Sequence, residues 1–232
     1  DAYLQHFNIA VNTFPDSVSV SIDEIKLTPG KDFVVQPNSG SANNQYTPYL
    51  IDKNNIKDFV SQLQNQKINF QKTIFVLDNK AIEDKDTLQL FRELSQVLAT
   101  QTPVIIIKDD KFTWSVGRNE LANPIIKIQR EKYNFGCKSI RLNIRNNFIN
   151  QLQTQNVIGY VKGKKKKKFL VISAHYDHLG RMGSETYFPG ANDNASGVAM
   201  LLYLADYFSK NKPKYSIAFM AFGAEEVGIL GS

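Results

Sequence analysis

Short apolar runs recur along this chain, and each is bounded by polar or turn-forming residues. At 18–22, valine and isoleucine alternate with serine, which predicts a half-buried strand. Mainly apolar runs that are too short for helices predict buried strands. These runs lie at 33–35, 73–77, 103–108, 124–128, 169–174 and 217–222.

Helical spacing of apolar residues appears between several of these runs. Apolar positions three or four apart predict amphipathic helices at 54–67, 84–100 and 194–210. The stretch 38–46 is rich in serine, glycine and asparagine and is typical of a surface loop. The first fourteen residues have a mixed pattern that fits a short helix leading into a strand. Strands and helices together predict an α/β fold.

The patterning divides the chain into three regions. Residues 1–14 form an N-terminal segment that could pack on the core, 15–131 form a β-rich module with inserted helices, and 132–232 form a second domain. The β-rich module has scattered carboxylates and no catalytic constellation.

In the second domain, alternating stretches at 139–144 and 155–162 precede the mainly apolar stretch 168–174, which predicts a sheet that runs from its edge to its centre. The order strand, helix, strand over 169–222 predicts a right-handed parallel crossover.

Composition is that of an ordinary globular protein, with 42% hydrophobic and 22% charged residues. No run of about eighteen apolar residues occurs, so no membrane span is expected. The first residues also lack the basic and apolar regions of a secretory signal. The single cysteine, Cys137, excludes an internal disulfide and is expected to be a small buried residue.

The formal net charge of +6 owes much to six lysines, Lys162 and 164–168. Neither arginine nor aromatic residues are interleaved among them, as groove reading or base stacking would require. The run therefore predicts a solvated hairpin tip between two strands, and no nucleic-acid partner is expected.

Residue types that bind metals follow both apolar runs of the second domain. His175 follows the first run, Glu225 and Glu226 follow the second, and Asp193 lies in the turn that opens the intervening helix. Ligands of open α/β sheets bind beyond the carboxyl ends of the strands. We therefore expect these side chains to converge there.

Each of these residues also has an ordinary structural explanation. A histidine can be packed or solvated, Asp193 can be an N-cap, and Glu225 and Glu226 suit the first turn of a helix. Metal binding is favoured only when His175, Asp193 and the two glutamates are considered together. Without a metal, three unrelated structural reasons would have to bring metal-binding residue types to the same sheet edge. Asp177 can accept a hydrogen bond from the second ring nitrogen of His175, and one of two adjacent glutamates can bind metal while the other accepts a proton.

Three segments resemble the signature blocks of metallopeptidase family twenty-eight. They are His-Tyr-Asp-His at 175–178, Gly-Ala-Asn-Asp-Asn-Ala-Ser-Gly at 190–197 and Ala-Glu-Glu-Val-Gly-Ile-Leu-Gly-Ser at 224–232. The resemblance covers about 155–232. It implies a zinc-exopeptidase mixed sheet flanked by helices, of which 132–232 would be the N-terminal part. The module at 15–131 looks similar, in its β-rich pattern and in its position ahead of the three blocks, to a protease-associated domain that shapes substrate access.

The resemblance also implies a role for each site residue. His175 would bind one zinc ion, Asp193 would bridge two, and Glu226 would bind the second. Glu225 would be the general base and Asp177 would orient His175. The family often holds the bridging aspartate in a cis peptide, here Asp193–Asn194.

A zinc-dependent exopeptidase that acts on peptides, most simply an aminopeptidase, is the function that this resemblance implies. Glutaminyl cyclases share the scaffold, but the block at 224–232 is closer to the peptidase form. A non-catalytic binding domain is a third alternative, and the intact His175, Asp193 and Glu226 argue against it. The resemblance also implies an exported, bacterial-type protein.

The family takes one aspartate and one histidine ligand from well beyond the Glu-Glu block, whereas this sequence ends at Ser232. A catalytic zinc normally has about three protein ligands. We therefore expect a truncated chain that binds metal poorly by itself, with an apolar sheet edge left exposed.

Overall fold

The computed structural model describes residues 2–64, 70–80 and 82–231. Within these ranges the chain forms fourteen strands and three α-helices, and the predicted α/β class is confirmed. The helices are α1 (Ile56–Gln64), α2 (Lys85–Leu98) and α3 (Ser196–Lys210). The strands are β1 (Ala2–Thr13), β2 (Val18–Ile22), β3 (Ile25–Lys26), β4 (Phe33–Val35), β5 (Ala42–Ile51), β6 (Thr73–Leu77), β7 (Val104–Lys108), β8 (Ile125–Gln129), β9 (Ile140–Ile144), β10 (Asn147–Val161), β11 (Lys165–His175), β12 (Gly180–Met182), β13 (Thr186–Phe188) and β14 (Tyr215–Phe222).

The chain divides into two compact units. Unit 1 consists of Asp1–Val11, Ile149–Gly180 and Tyr187–Ser232, whose terminal residues Asp1 and Ser232 are outside the described ranges. Unit 2 consists of Asn12–Phe148 together with Arg181–Thr186. None of the helices in the described ranges is long and apolar enough to cross a membrane.

Unit 2 is built on an eight-stranded sheet in the order β3-β2-β9-β5-β6-β7-β8-β4. Strands β5 to β8 are parallel to one another, and the flanking strands pair antiparallel. Helices α1 and α2 pack on one face through large apolar side chains that include Phe59, Phe75 and Phe91. The amphipathic spacing that predicted both helices therefore buries their apolar faces in one core, although residues 65–67 of the predicted first helix lie outside the described ranges.

An ion-pair cluster lies at the carboxyl ends of the parallel strands in unit 2. Arg130, just after β8, contacts both carboxylate oxygens of Asp78 at 2.6 and 2.9 Å. Its Nε atom donates to Asp109, just after β7, at 2.6 Å. This bidentate pairing lowers the pKa of Asp78. Asp78 and Asp109 therefore share one guanidinium group at this strand edge.

Unit 1 contains a four-stranded sheet in the order β1-β10-β14-β11. Strands β10 and β14 are antiparallel, whereas β11 and β14 are parallel and are connected through α3. Leu201 of α3 packs against Ala174, Ile217 and Phe219 of the sheet. The predicted parallel strand, helix, strand unit is confirmed, and Leu202 of α3 is 62% exposed.

Three predictions about single elements are wrong. The first residues form the long strand β1 with no preceding helix within 2–14, and most of the predicted loop at 38–46 belongs to β5. Residues 140–144 form β9, which pairs with β2 and β5 in unit 2 and therefore does not lead into the sheet of unit 1. In β5 and β9, ladder pairing on both sides outweighs a polar composition.

Strand β11 is present as predicted, but it is not buried as the apolar run predicted. It lies at the edge of the sheet among the described strands, and Phe169, Leu170 and Val171 are each more than half exposed. The lysine run does not form a hairpin tip, because β10 and β11 are separated by β14. Four of the lysines, 165–168, instead begin the edge strand, where its register with β14 is irregular.

Candidate metal centre

Two neighbouring parallel strands bring the first and last signature blocks together. His175 is the last residue of β11 and is in register with Phe222, the last residue of β14. The turn that follows β14 carries Glu225 and Glu226. The predicted convergence at the carboxyl ends of the strands therefore follows directly from the pairing of β11 with β14.

Asp193 lies beside His175 in an irregular turn before α3. The Nε2 atom of His175 is 3.1 Å from Oδ1 of Asp193. The Asp193–Asn194 peptide is cis, as the resemblance implied. Asn194 accepts a hydrogen bond from the N–H of Gly197 at 3.1 Å, so the polar residue that serves the first turn of α3 is Asn194. Asp193 is left free to face the histidine.

Glu225 and Glu226 lie in a turn and not in the first turn of a helix. One carboxylate oxygen of Glu225 is 3.8 Å from Nε2 of His175. Ligand atoms of His175, Glu225 and Glu226 all lie within 4.8 Å of one another, which is close enough for them to share one cation. These residues and Asp193 are the ones that could hold a metal.

Asp177 connects the first block to the last. Its carboxylate accepts the backbone N–H groups of Glu225 and Glu226, both at 3.1 Å. The contact to Nδ1 of His175 comes from the backbone carbonyl of Asp177 at 3.1 Å, whereas the carboxylate is 3.8 Å away. Asp177 therefore contacts His175 as expected, but through its carbonyl, and its carboxylate instead positions the Glu-Glu turn.

The hydrogen bond to that carbonyl defines which ring nitrogen of His175 carries the proton when the ring is neutral. A carbonyl oxygen only accepts, so Nδ1 carries a proton and the neutral ring has a lone pair on Nε2 for a metal. Burial by itself would lower the pKa of His175, but the hydrogen bond to Asp177 and the charge of Glu225 outweigh burial and raise it. Metal binding at Nε2 would therefore displace a proton.

Asn156 on β10 supports the Glu-Glu turn and was not recognised in the sequence. It is buried, accepts the N–H of Gly223 at 3.0 Å, and donates to the carbonyl of Gly231 at 2.6 Å and to Gln5 at 3.0 Å. These bonds hold both ends of the turn. An asparagine within an alternating strand pattern gives no signal of such a role.

His178 was quoted as part of the first block without a role. Its buried Nδ1 atom lies 2.8 Å from Oε1 of Glu226. A Cβ at Gly190 would lie 2.7 Å from Cγ of the His178 ring, so only glycine leaves room for it. The ring is thus fixed between the second and third blocks.

The donor set fits zinc. The carboxylates of Asp193, Glu225 and Glu226 lie beside His175, and zinc favours a histidine nitrogen combined with carboxylate oxygens. Like charges at these distances repel unless a cation lies among them.

Comparison with known proteins agrees with this geometry. The chain is 28% identical over 159 residues to aminopeptidase YwaD of Bacillus subtilis, which covers 66% of this chain and 34% of that protein. It is 40% identical over 84 residues to a probable zinc metalloprotease of Pyricularia oryzae, which covers 35% of this chain and 17% of that protein. The chain thus spans about a third or less of the length of these relatives.

A solved structure shares the fold. An aminopeptidase from Aneurinibacillus sp. strain AM-1 matches with a TM-score of 0.64 and 22% identity, over 100% of this chain and 55% of that protein. Residues 156–232 match the sequence model of peptidase family M28. The resemblance to metallopeptidase family twenty-eight is therefore confirmed, and it is carried by the segment that contains all three blocks.

Proposed function

We propose that this protein is a zinc-dependent aminopeptidase that hydrolyses peptides at their N-terminal end. The observation that carries the proposal is the approach of His175 to Asp193, with Glu225 and Glu226 beside them, at the ends of two parallel strands. The similarity to the aminopeptidase of Bacillus subtilis and the zinc metalloprotease of Pyricularia oryzae supports it.

His175, Asp193 and Glu226 would hold the metal, with Asp193 as the bridge between two ions. When bound, zinc supplies a Lewis acid that polarises the scissile carbonyl and lowers the pKa of water. Glu225 is the general base: its carboxylate takes a proton from the attacking water and delivers it to the leaving amine nitrogen as the C–N bond breaks. Asp177 positions Glu225 and Glu226 through their backbone N–H groups.

Two further predictions, a protease-associated-like role for unit 2 and export of the protein, belong to the same proposal. Unit 2 broadly corresponds to the predicted module at 15–131, and we propose that it acts as a protease-associated-like module beside the peptidase region. The resemblance also supports export of the protein. These assignments rest on family resemblance, and the geometry of the metal centre does not depend on them.

Replacement of Glu225 by Gln tests the mechanism most directly. We expect the rate of aminoacyl-anilide hydrolysis to fall by about 10² to 10⁴-fold, because the proton acceptor is lost while the metal ligands remain. Bound zinc, measured by elemental analysis, should be unchanged. Glu131→Gln removes an exposed carboxylate in unit 2 and serves as the control with normal activity.

Two results would contradict the proposal. One is metal-depleted protein that still releases amino acids at the normal rate. The other is cyclisation of peptides with N-terminal glutamine without release of free amino acid, which would identify a glutaminyl cyclase on the same scaffold.

A further inference from the structure

A cavity of about 470 Å³ lies in unit 2 between α2 and the sheet. Its volume is in the range of small-molecule sites. The apolar part of its wall comes from four residues of α2, β6 and β7, and these are Leu77, Leu88, Phe91 and Ile106. The polar part includes Lys108, Lys127, Gln36, Asn79 and Arg92. The cavity is separate from the metal centre, which lies in unit 1.

Lys127 occupies an unusual position in the wall of the cavity. It lies on β8 opposite Ile106 of β7, on the sheet face where Val104 and Ile125 are fully buried. The side chain of Lys127 is itself half-buried. Lys127 thus places a positive charge on an otherwise apolar sheet face that α2 covers only in part. An ammonium group in such a place is costly unless a counter-charge approaches it.

No carboxylate in the described part of the chain pairs with Lys127 within 4.0 Å. Its neighbour Lys108 has one distant partner, Asp110 at 3.8 Å, whose side chain is 88% exposed. Burial and the charge of Lys108 both lower the pKa of Lys127. The two lysines therefore repel each other in a half-buried wall.

The other charged groups around the cavity do not neutralise these lysines. Arg92 adds a third positive charge. Glu93 is exposed on α2, and its carboxylate accepts a hydrogen bond from Gln89 at 2.8 Å. The cavity therefore combines an apolar wall with an excess of positive charge, which is the chemistry that recognises an anionic head group on a hydrocarbon body.

We propose that this cavity binds a small molecule with a carboxylate attached to an apolar body, such as the C-terminal end of a short apolar peptide. The carboxylate would lie near Lys108 and Lys127, and the apolar body would contact Leu88, Phe91 and Ile106. This inference does not rest on the proposed aminopeptidase activity.

Calorimetric titration with N-acetyl-Phe-Leu tests the proposal. The acetyl group blocks the free amine that an aminopeptidase requires, and the protein is kept metal-free, so binding is measured apart from hydrolysis. We expect saturable binding of the free acid with a dissociation constant below 1 mM (on the order of −4 kcal/mol). We expect the C-terminal amide to bind at least tenfold more weakly.

Variants and a direct probe complete the test. Lys127→Met and Lys108→Met should each weaken binding of the acid at least fivefold, whereas Lys57→Met, which removes an exposed charge from α1, should not change it. If Lys127→Met does not fold, the ¹³Cε resonance of Lys127 in the unmodified protein should shift on addition of the acid and not of the amide. Equal binding of acid and amide, no binding at several millimolar, or unchanged affinity in both variants would overturn the proposal.

Discussion

The imidazole of His178 is held on two sides by residues of the other signature blocks. Gly190 leaves room for the ring, and Glu226 approaches its Nδ1 atom at 2.8 Å. In this position the ring limits where the Glu226 carboxylate can lie. Residues that orient metal ligands in this way influence affinity although they do not bind the metal.

We predict that His178→Ala weakens zinc binding by about 10 to 100-fold, as is typical when a group behind a ligand is removed. Competition with a chromophoric chelator gives the affinity without an activity assay. His6→Ala is the matched control, since His6 is exposed on β1. An unchanged zinc affinity in His178→Ala would show that the ring has no influence on Glu226.

At the scale of elements, a single buried amide joins the two ends of the turn after β14. Asn156 bonds to both ends of the turn through Gly223 and Gly231. A Cβ at Gly231 would lie 1.8 Å from the carbonyl oxygen of Gly223, so the two ends approach each other as closely as glycine permits.

Asn156→Leu should lower the free energy of unfolding by about 1 to 3 kcal/mol, because it leaves buried backbone groups without partners. It should also weaken zinc binding, because the turn that carries Glu225 and Glu226 loses its attachment. Denaturant unfolding and chelator competition measure the two effects. Gln153→Ala on the exposed side of β10 should change neither of them.

The parallel strands of unit 2 depend on the pairing of Arg130 with Asp78. Because the pKa of Asp78 is lowered in the folded state, its contribution to stability is complete above its unfolded pKa of about 3.9 and is lost as the pH falls through the folded value. We predict that Asp78→Asn costs about 1 to 3 kcal/mol at pH 7 and flattens the loss of stability below about pH 4. Urea midpoints between pH 7 and 2.5 measure both effects. Asp58→Asn, on the exposed side of α1, should follow the unmodified protein.

Sequence patterns predicted some elements and site residues well and others poorly, for identifiable reasons. His175, Asp193 and Glu226 could be found because each follows a strand or opens a helix, and strand ends converge. Asn156 could not be found, because its partners are backbone groups that only the folded turn brings close. The apolar pattern of 169–171 predicted burial, because apolar residues indicate a tendency to be covered and do not show which element covers them. The exposed apolar sheet edge was expected from the family resemblance alone.

At the scale of the whole molecule, the short segment Arg181–Thr186 belongs to unit 2, although the residues on both sides of it belong to unit 1. Within it, Met182 is fully buried, and the N–H of Gly183 donates to the carbonyl of Phe14 at 2.9 Å. The stability of unit 2 therefore depends on residues far from the rest of it in sequence.

Met182→Ala should destabilise unit 2 by about 2 to 5 kcal/mol, since it leaves a cavity in a packed core. The single tryptophan, Trp114, donates to the carbonyl of Val35 in unit 2 at 2.7 Å, so its fluorescence reports on this unit. Met200→Ala, on the exposed side of α3 in unit 1, should leave the fluorescence transition unchanged. Equal transitions for the two variants would contradict the prediction.

The sheet order in unit 1 has a consequence for synthesis on the ribosome. β1 is made long before its neighbour β10, because the bonded pair Gln5 and Asn156 are 151 residues apart in sequence. The strands of unit 2 from Val18 to Ile144 emerge in between and can begin to pair among themselves while β1 still lacks its neighbour. β1 therefore remains unpaired with β10 until that strand has been made, and until then it is available to chaperones.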